Sequence, residues 1–180
     1  MREINHPHPR YARPVTVGER IEGALVALAP LDTADAAAWA RWLRDPDTTR
    51  YLYGRRGPPP APSTELELRT WGWRALADPW MLVVGIEERV GGTVVGNARL
   101  QLLSRRRARF SILIGEAEHR GSGQGREATA LLCRYAFERL DVEQVILEVD
   151  PRNVPAIRAY EAVGFRHGRG QTMRLRRASR

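Results

Sequence analysis

The stretch ILIGEAEHRGSGQGR, residues 112–126, passes from an apolar strand into a glycine-rich loop and then into a helix. Ile112 and Ile114 fall on one face of the strand, two residues apart. Gly121, Gly123 and Gly125 stand at alternate positions, with only Ser122 and Gln124 between them. Backbone N–H groups can therefore converge without side chains in the way. The helix expected over residues 123–139 adds unpaired N–H donors and the positive end of its dipole. Together these make a phosphate cradle, flanked by the cations of Arg120 and Arg126.

Two other phosphate-binding patterns fail on the same residues. The dinucleotide fingerprint G-x-G-x-x-G needs glycine where Arg126 stands. A Walker loop needs a Gly-Lys pair, and the chain has no lysine.

Working outward, periodicity predicts a strand over Glu19–Leu28. A helix capped by Asp32 follows, with Ala36, Trp39, Ala40 and Leu43 on one side, stopped at Asp45-Pro46. The run Gly54–Pro62 is a rigid loop. Ser63 or Thr64 caps a second helix that buries Leu66, Trp73 and Ala77. Three strands come next: Trp80–Glu87, then Thr93–Leu103 after a Gly91-Gly92 hairpin turn, then Ala108–Ile114. The middle one is expected to place Val94, Ala98, Leu100 and Leu102 on one face. Beyond the loop helix lie a short strand, Val145–Val149, a helix capped by Asn153 and closed by Gly164, and a final strand region from Phe165 to about Leu175. This order predicts an α/β fold, a mixed sheet with helices on both faces. Residues 1–18 read as an N-terminal arm, 19–175 as the domain and 176–180 as a basic tail.

Composition narrows the class. The chain has 180 residues, 43% hydrophobic and 28% charged, enough for one domain with a core. No apolar run is long enough to span a membrane, and the N-terminus lacks a secretory h-region. Cys133 is the single cysteine, so no internal disulfide forms and a cytoplasmic location is expected. Net charge is +8, and all 29 cationic residues are arginine. The arginines are scattered along the chain, with small clusters at Arg105-Arg106-Arg107 and from Arg174 to Arg180, and the reading is a solvated basic surface, with nucleic acid the less favoured partner. His6 and His8 read as solvated arm residues, since nothing nearby completes a metal site.

Arg120-x-x-Gly123-x-Gly125 resembles the acetyl-CoA signature of the GNAT N-acetyltransferase superfamily. RGSGQGREA, residues 120–128, looks like the ribosomal-protein N-terminal acetyltransferase subgroup. Asn153, Ala156, Tyr160 and Gly164-Phe165 form a second matching set, and LAPLDTADAAAWARWLRDPDTTRYL, residues 28–52, is similar to that subgroup's opening. The resemblance covers roughly residues 19–175. It implies a mostly antiparallel sheet in which the parallel strands 108–114 and 145–149 splay, with the pantetheine of acetyl-CoA between them.

The resemblance also implies roles. Ile112, Ile114, Gly115, Arg120, Gly121, Ser122, Gly123, Gln124, Gly125, Arg126 and Asn153 would hold the cosubstrate. A backbone N–H near Ile114 or Gly115 would stabilise the oxyanion, worth about 3 kcal/mol. Gly115 either widens the acyl pocket or simply ends the strand. Tyr160 would protonate the departing thiolate, and it also fits as a core tyrosine. Glu116 is the nearest candidate base, with Glu118 and Glu87 as alternatives. Glu127 matches a family glutamate whose role would be structural. Cys133 and His119 read as packing residues, and His167 has no identifiable partner.

The acceptor is an amine, either a protein N-terminal α-amine or a small molecule. The competing reading is an inactive module of the same fold that binds RNA, a ribosome or CoA. For assembly, the sequence leaves a homodimer open.

Overall fold

The computed structural model describes residues 20–30, 35–52 and 78–178. The expected arm, the Asp32 cap, the loop 54–62, the helix with Leu66, Trp73 and Ala77, and His6 and His8 lie outside those residues.

The chain runs β1 (Ile21–Glu22), β2 (Val26–Pro30), α1 (Ala36–Arg44), α2 (Pro46–Thr49), β3 (Met81–Glu88), β4 (Val94–Ser104) and β5 (Arg107–Ile114). It continues with α3 (Gln124–Arg139), β6 (Gln144–Glu148), α4 (Val154–Val163), β7 (Arg166–His167) and β8 (Thr172–Arg176). The strands form one sheet in the order β1-β2-β3-β4-β5-β6-β8-β7. Every neighbouring pair is antiparallel except β5 with β6. The expected α/β architecture, a mixed sheet with one parallel pair, is therefore what forms.

The main core lies between the sheet and α3 with α4, where Leu100, Phe110, Leu132, Val145, Leu147 and Phe165 are buried. α1 covers part of the other face with Trp39 and Trp42, which pack with Val83, Val94 and Leu113. Burying two indoles there contributes several kcal/mol and fixes α1 to the sheet.

Several local expectations are corrected. The strand over 19–28 is broken at Gly23–Leu25 into β1 and β2, which fold back as a hairpin pairing Ile21 with Leu28. The first helix does stop at Asp45-Pro46 as expected, but a second short helix follows at once: Asp45 caps α2 through Asp47 N and Thr48 N, and Pro46 opens it. Val94 does not share a face with Ala98. Ile86 pairs with Gly96 but Glu87 with Val94, so Val95 is an extra residue that flips the alternation. Val95 thus enters the main core, fully buried, and Val94 faces α1. The final strand region is a hairpin, β7–β8. Its tail begins later than position 176: Arg176 pairs with Gln144 in β8, and Arg177 donates to Phe137 O at 3.1 Å and Asp141 Oδ1 at 3.2 Å.

Candidate functional site

β5 and β6 pair only from Arg107–Gln144 to Arg109–Ile146. From Phe110 to Ile114, β5 continues with β4 alone. The Gly115 N–H donates to Val95 O at 2.9 Å, so the residues that turn their main-chain groups toward β4 are 115, 113 and 111. Ile112 and Ile114 turn theirs the other way, into the gap that opens toward β6. The Ile114 carbonyl accepts from Arg120 Nε at 3.2 Å. Its N–H faces the gap, where β6 offers no pairing. Of the two expected oxyanion donors, Gly115 is therefore engaged and Ile114 is the one directed into the gap.

After β5 the chain makes a short 3-10 turn at Ala117–His119 and then the glycine loop. Gly121 and Gly123 have φ of 76° and 90°, a region costly for other residues. Gly123 caps α3 with no side chain over the helix end. Among the described residues, none of the N–H groups from Gly121 to Arg126 has a main-chain or side-chain acceptor. Ser122 Oγ donates to His119 O at 2.7 Å, which ties the loop to its own base. Gln124 is buried, and its Oε1 has no partner among the described residues. A Cβ on Gly125 would stand 3.4 Å from Ile114 Cγ1, so α3 lies close over the strand end. Arg126 is exposed and carries no ion pair among the described residues. A run of unbonded N–H donors at a helix start, beside an exposed guanidinium, fits a diphosphate. The gap that opens past Arg109 leaves the outward main-chain groups of Ile112 and Ile114 without a strand partner.

Arg120, expected as a phosphate cation, is bonded to protein groups at the end of β5. Its guanidinium turns inward to Ile114 O, to Gly115 O at 2.8 Å, to Thr48 Oγ1 and to Asp45 Oδ2 at 3.4 Å. It pins the end of β5 to the α1–α2 corner. Gly115 does not widen a pocket either. A side chain at that position would overlap the Trp42 indole, which already fills the space.

Glu116, the expected candidate base, is likewise engaged by protein groups. Its Oε1 accepts from Trp42 Nε1 at 2.9 Å and from Arg41. Burial raises its pKa, but the bonds from Trp42 and Arg41 outweigh this and leave it below the usual carboxylate range. The carboxylate so held ties α1 to the end of β5. Trp42, Asp45, Thr48 and Val95 were missed at the sequence level. The only signal was a Trp and a capping Asp in a helix, which read as core and punctuation.

Glu127 caps a distant loop. Its carboxylate accepts from Ala24 N at 2.8 Å, Leu25 N at 2.7 Å and Val26 N at 2.8 Å. Gly23 is required there, since a Cβ would lie 2.8 Å from Glu127 Cδ. Leu25 is brought beside Gly123, 3.4 Å from where its Cβ would be.

Asn153 caps α4 by accepting from Ala156 N at 3.3 Å. α4 ends in a Schellman motif. Phe165 N donates to Tyr160 O at 3.0 Å and Gly164 N to Glu161 O at 2.9 Å, with Gly164 left-handed at φ 108°. The accompanying apolar contact is Tyr160 against Phe165, ring centroids 5.9 Å apart. Phe110 meets Tyr160 edge-on at 6.4 Å, one residue past the last β5–β6 pair. Tyr160 therefore stands where the strands part. Burial pushes its phenol up to about 12, so it stays protonated. Among the described residues its hydroxyl has no hydrogen-bond partner. Cys133 is buried and its thiol is raised by that burial, as a packing residue should be. His119 Nδ1 lies 3.4 Å from Glu88, and His167 does have a partner, Glu161, at 3.1 Å. No metal-binding cluster and no helix long and apolar enough to cross a membrane occurs among the described residues.

Comparison with known proteins follows the same lines. The chain matches the model of the acetyltransferase (GNAT) domain over residues 26–166. No match to a curated protein was found. A GNAT-family acetyltransferase from Bacillus anthracis superposes with a TM-score of 0.72 at 16% identity, over 88% of this chain and 98% of that one. Spermidine N-acetyltransferase from Vibrio cholerae, solved with CoA and spermine, gives 0.72 at 20% identity, over 86% and 96%. A candidate ribosomal-protein-serine acetyltransferase from Vibrio cholerae gives 0.70 at 18% identity, over 92% and 99%. At these identities the solved structures speak for the fold, and the domain model, spanning most of the sequence, shows that the chain belongs to the GNAT acetyltransferase family.

Proposed function

We propose that this acetyltransferase takes its acyl group from acetyl-CoA and passes it to an amine by direct attack on the thioester. The observation that carries the reading is the run of unbonded N–H groups from Gly121 to Arg126, set beside the parted strands β5 and β6. Those donors, with Arg126, suit the diphosphate of CoA. Ile112 and Ile114 present main-chain groups to the pantetheine, and Asn153 stands at the start of α4 on the far side.

The neutral amine forms a C–N bond to the acetyl carbon, and the carbonyl electrons move onto oxygen. The Ile114 N–H is placed to hold that oxyanion. On collapse the C–S bond breaks, and Tyr160 gives its proton to the leaving thiolate. The amine sheds its own proton to water. No carboxylate is assigned as base, because Glu116 is engaged by Trp42 and Arg41. This favours an α-amine, which titrates near pH 8 and is already partly neutral, over a lysine near 10.4. A net charge of +8 also disfavours steering of polycations toward the protein. A protein N-terminus is thus the first acceptor class, and a small-molecule amine the second.

The test is thiol release from acetyl-CoA with N-terminal peptides, spermidine and aminoglycosides, alongside calorimetry with CoA. Release with a peptide α-amine is expected. CoA binding with no release from any acceptor would reduce the protein to a CoA-binding module.

A further inference from the structure

The arginines that look scattered along the sequence are gathered by the sheet. Residues paired across neighbouring strands project on the same face. Two such rows cross the β5-β6-β8-β7 end. One is Arg107–Gln144–Arg176, and the next is Arg109–Ile146–Arg174, continued to Arg166 of β7. The alternate residues Ala108, Val145, Leu147 and Met173 are buried in the core under α3 and α4. These rows therefore face the opposite way, and all five arginines are exposed. Among the described residues no helix covers this part of the sheet. α1 reaches only Val83, Val94 and Leu113, on strands β3 to β5.

The charge on this face is nearly of one sign. Arg109 approaches Glu148 at 3.9 Å, in an exposed pair. Among the described residues, Arg107, Arg166, Arg174 and Arg176 have no carboxylate partner. Arg166 stands directly opposite Arg174, a like-charge cross-strand pair that weakens the sheet. Neighbouring strands are about 4.8 Å apart, so the five guanidinium stems share a patch roughly 15 Å wide. The patch lies at the start of β5 and on the face away from α3. The glycine loop follows the other end of β5, about 17 Å along the strand from Arg109.

We propose that this sheet face is a docking surface for the sugar–phosphate backbone of a nucleic acid. Planar guanidinium forks match phosphate oxygens, and a flat array of them needs no pocket. The two rows hold no aromatic side chain on which a base could stack, so the contact reads charge rather than sequence. A second copy of the chain is disfavoured there, because the same charge would face itself. This surface is independent of the acetyl-transfer reading, since it shares no residue with that site.

The experiment is fluorescence anisotropy with a labelled RNA duplex and a labelled DNA duplex, from 50 to 300 mM salt. Four phosphate contacts predict a log–log salt slope of about −3.6. The variant carrying Arg107→Gln, Arg109→Gln, Arg174→Gln and Arg176→Gln should lose most of that slope and at least about 100-fold in affinity at low salt. A control with equal charge loss elsewhere, at Arg134, Arg139, Arg158 and Arg169, should keep the slope. Single changes at Arg107 and Arg176, each lowering the slope by about 0.9, serve if the fourfold variant does not fold. Equal loss in patch and control variants overturns the proposal, as does the absence of duplex binding at 50 mM salt. Binding to a polyglutamate peptide or to anionic lipid vesicles tighter than to both duplexes also overturns it. Loss of duplex binding with thiol release intact supports it and leaves the enzymatic reading untouched.

Discussion

The indole of Trp42 occupies the space that a side chain at position 115 would fill, so Gly115 and Trp42 are a complementary pair across α1 and the end of β5. The same indole donates to Glu116 at 2.9 Å, and Arg120 bonds the Gly115 carbonyl at 2.8 Å. The end of the strand that carries Ile114 is therefore held from the opposite face of the sheet. Gly115→Ala should overpack this contact, lower stability by about 1–3 kcal/mol and reduce kcat by displacing Ile114. Urea melts and acetyl-transfer kinetics measure both. A stable, fully active variant would show that Trp42 does not set the strand end.

Arg120→Lys keeps the charge and loses the fork. If Arg120 holds Ile114 O, Gly115 O and Thr48 as described, the change should destabilise by about 2 kcal/mol while CoA affinity falls only a few-fold. Calorimetry with CoA and a thermal melt separate this from a phosphate ligand, for which affinity would fall and stability would hold.

Glu127 accepts three N–H groups, and its carboxyl lies below the ordinary glutamate range. Burial raises it, but the bonds from Leu25, Ala24 and Val26 more than offset that. A depressed folded-state pKa means the unfolded chain binds the proton more readily as pH drops. The stabilisation is thus complete above about pH 4.3, the ordinary glutamate value, and is lost as pH falls through the lower folded value. Glu127→Gln should cost about 2 kcal/mol at pH 7 and flatten the stability profile below pH 5. An unchanged acid limb in urea melts would count against this role.

Tyr160→Phe removes a hydroxyl that bonds nothing among the described residues, so stability should hardly move. As the proton donor its loss should lower kcat by about 100-fold with little change in KM. Because the phenol is raised to about 12, the wild type should show no loss of kcat from Tyr160 ionisation up to pH 10. Equal kcat for the two proteins would remove Tyr160 from the reaction.

Gly123→Val forces a β-branched residue to φ 90° at the helix start, beside Leu25. CoA affinity should fall at least tenfold in calorimetry, through strain in the loop and loss of its N–H alignment. Unchanged affinity would place the diphosphate elsewhere.

The local chemistry was readable in the sequence. Gly91-Gly92 makes the hairpin it promised, with φ of 94° and 68°. Asn153 caps α4, and Gly164 closes it. What the sequence could not show depends on residues far apart. Glu127 reaches a loop about a hundred positions earlier, and nothing near position 127 signals it. The extra residue at Val95 follows from pairing with β3, because the pattern of β4 alone reads as regular alternation. Arg120 looked like a free cation because its acceptors are carbonyls and a Thr-Asp pair brought in by folding. The arginine clusters of β5 and β8 were visible in the sequence, but strand register, invisible along one chain, sets that they meet each other and Arg166 of β7.

The surplus residue in β4 has one more effect. The Val95 carbonyl receives both Gly115 N at 2.9 Å and Glu116 N at 3.3 Å, so β4 keeps hold of the chain two residues past the end of β5. The strand end that leads into the glycine loop is thus anchored on its β4 side, away from the edge that faces the gap. A guest that bonds the open edge of Ile112 and Ile114 therefore competes with none of the hydrogen bonds made by β4.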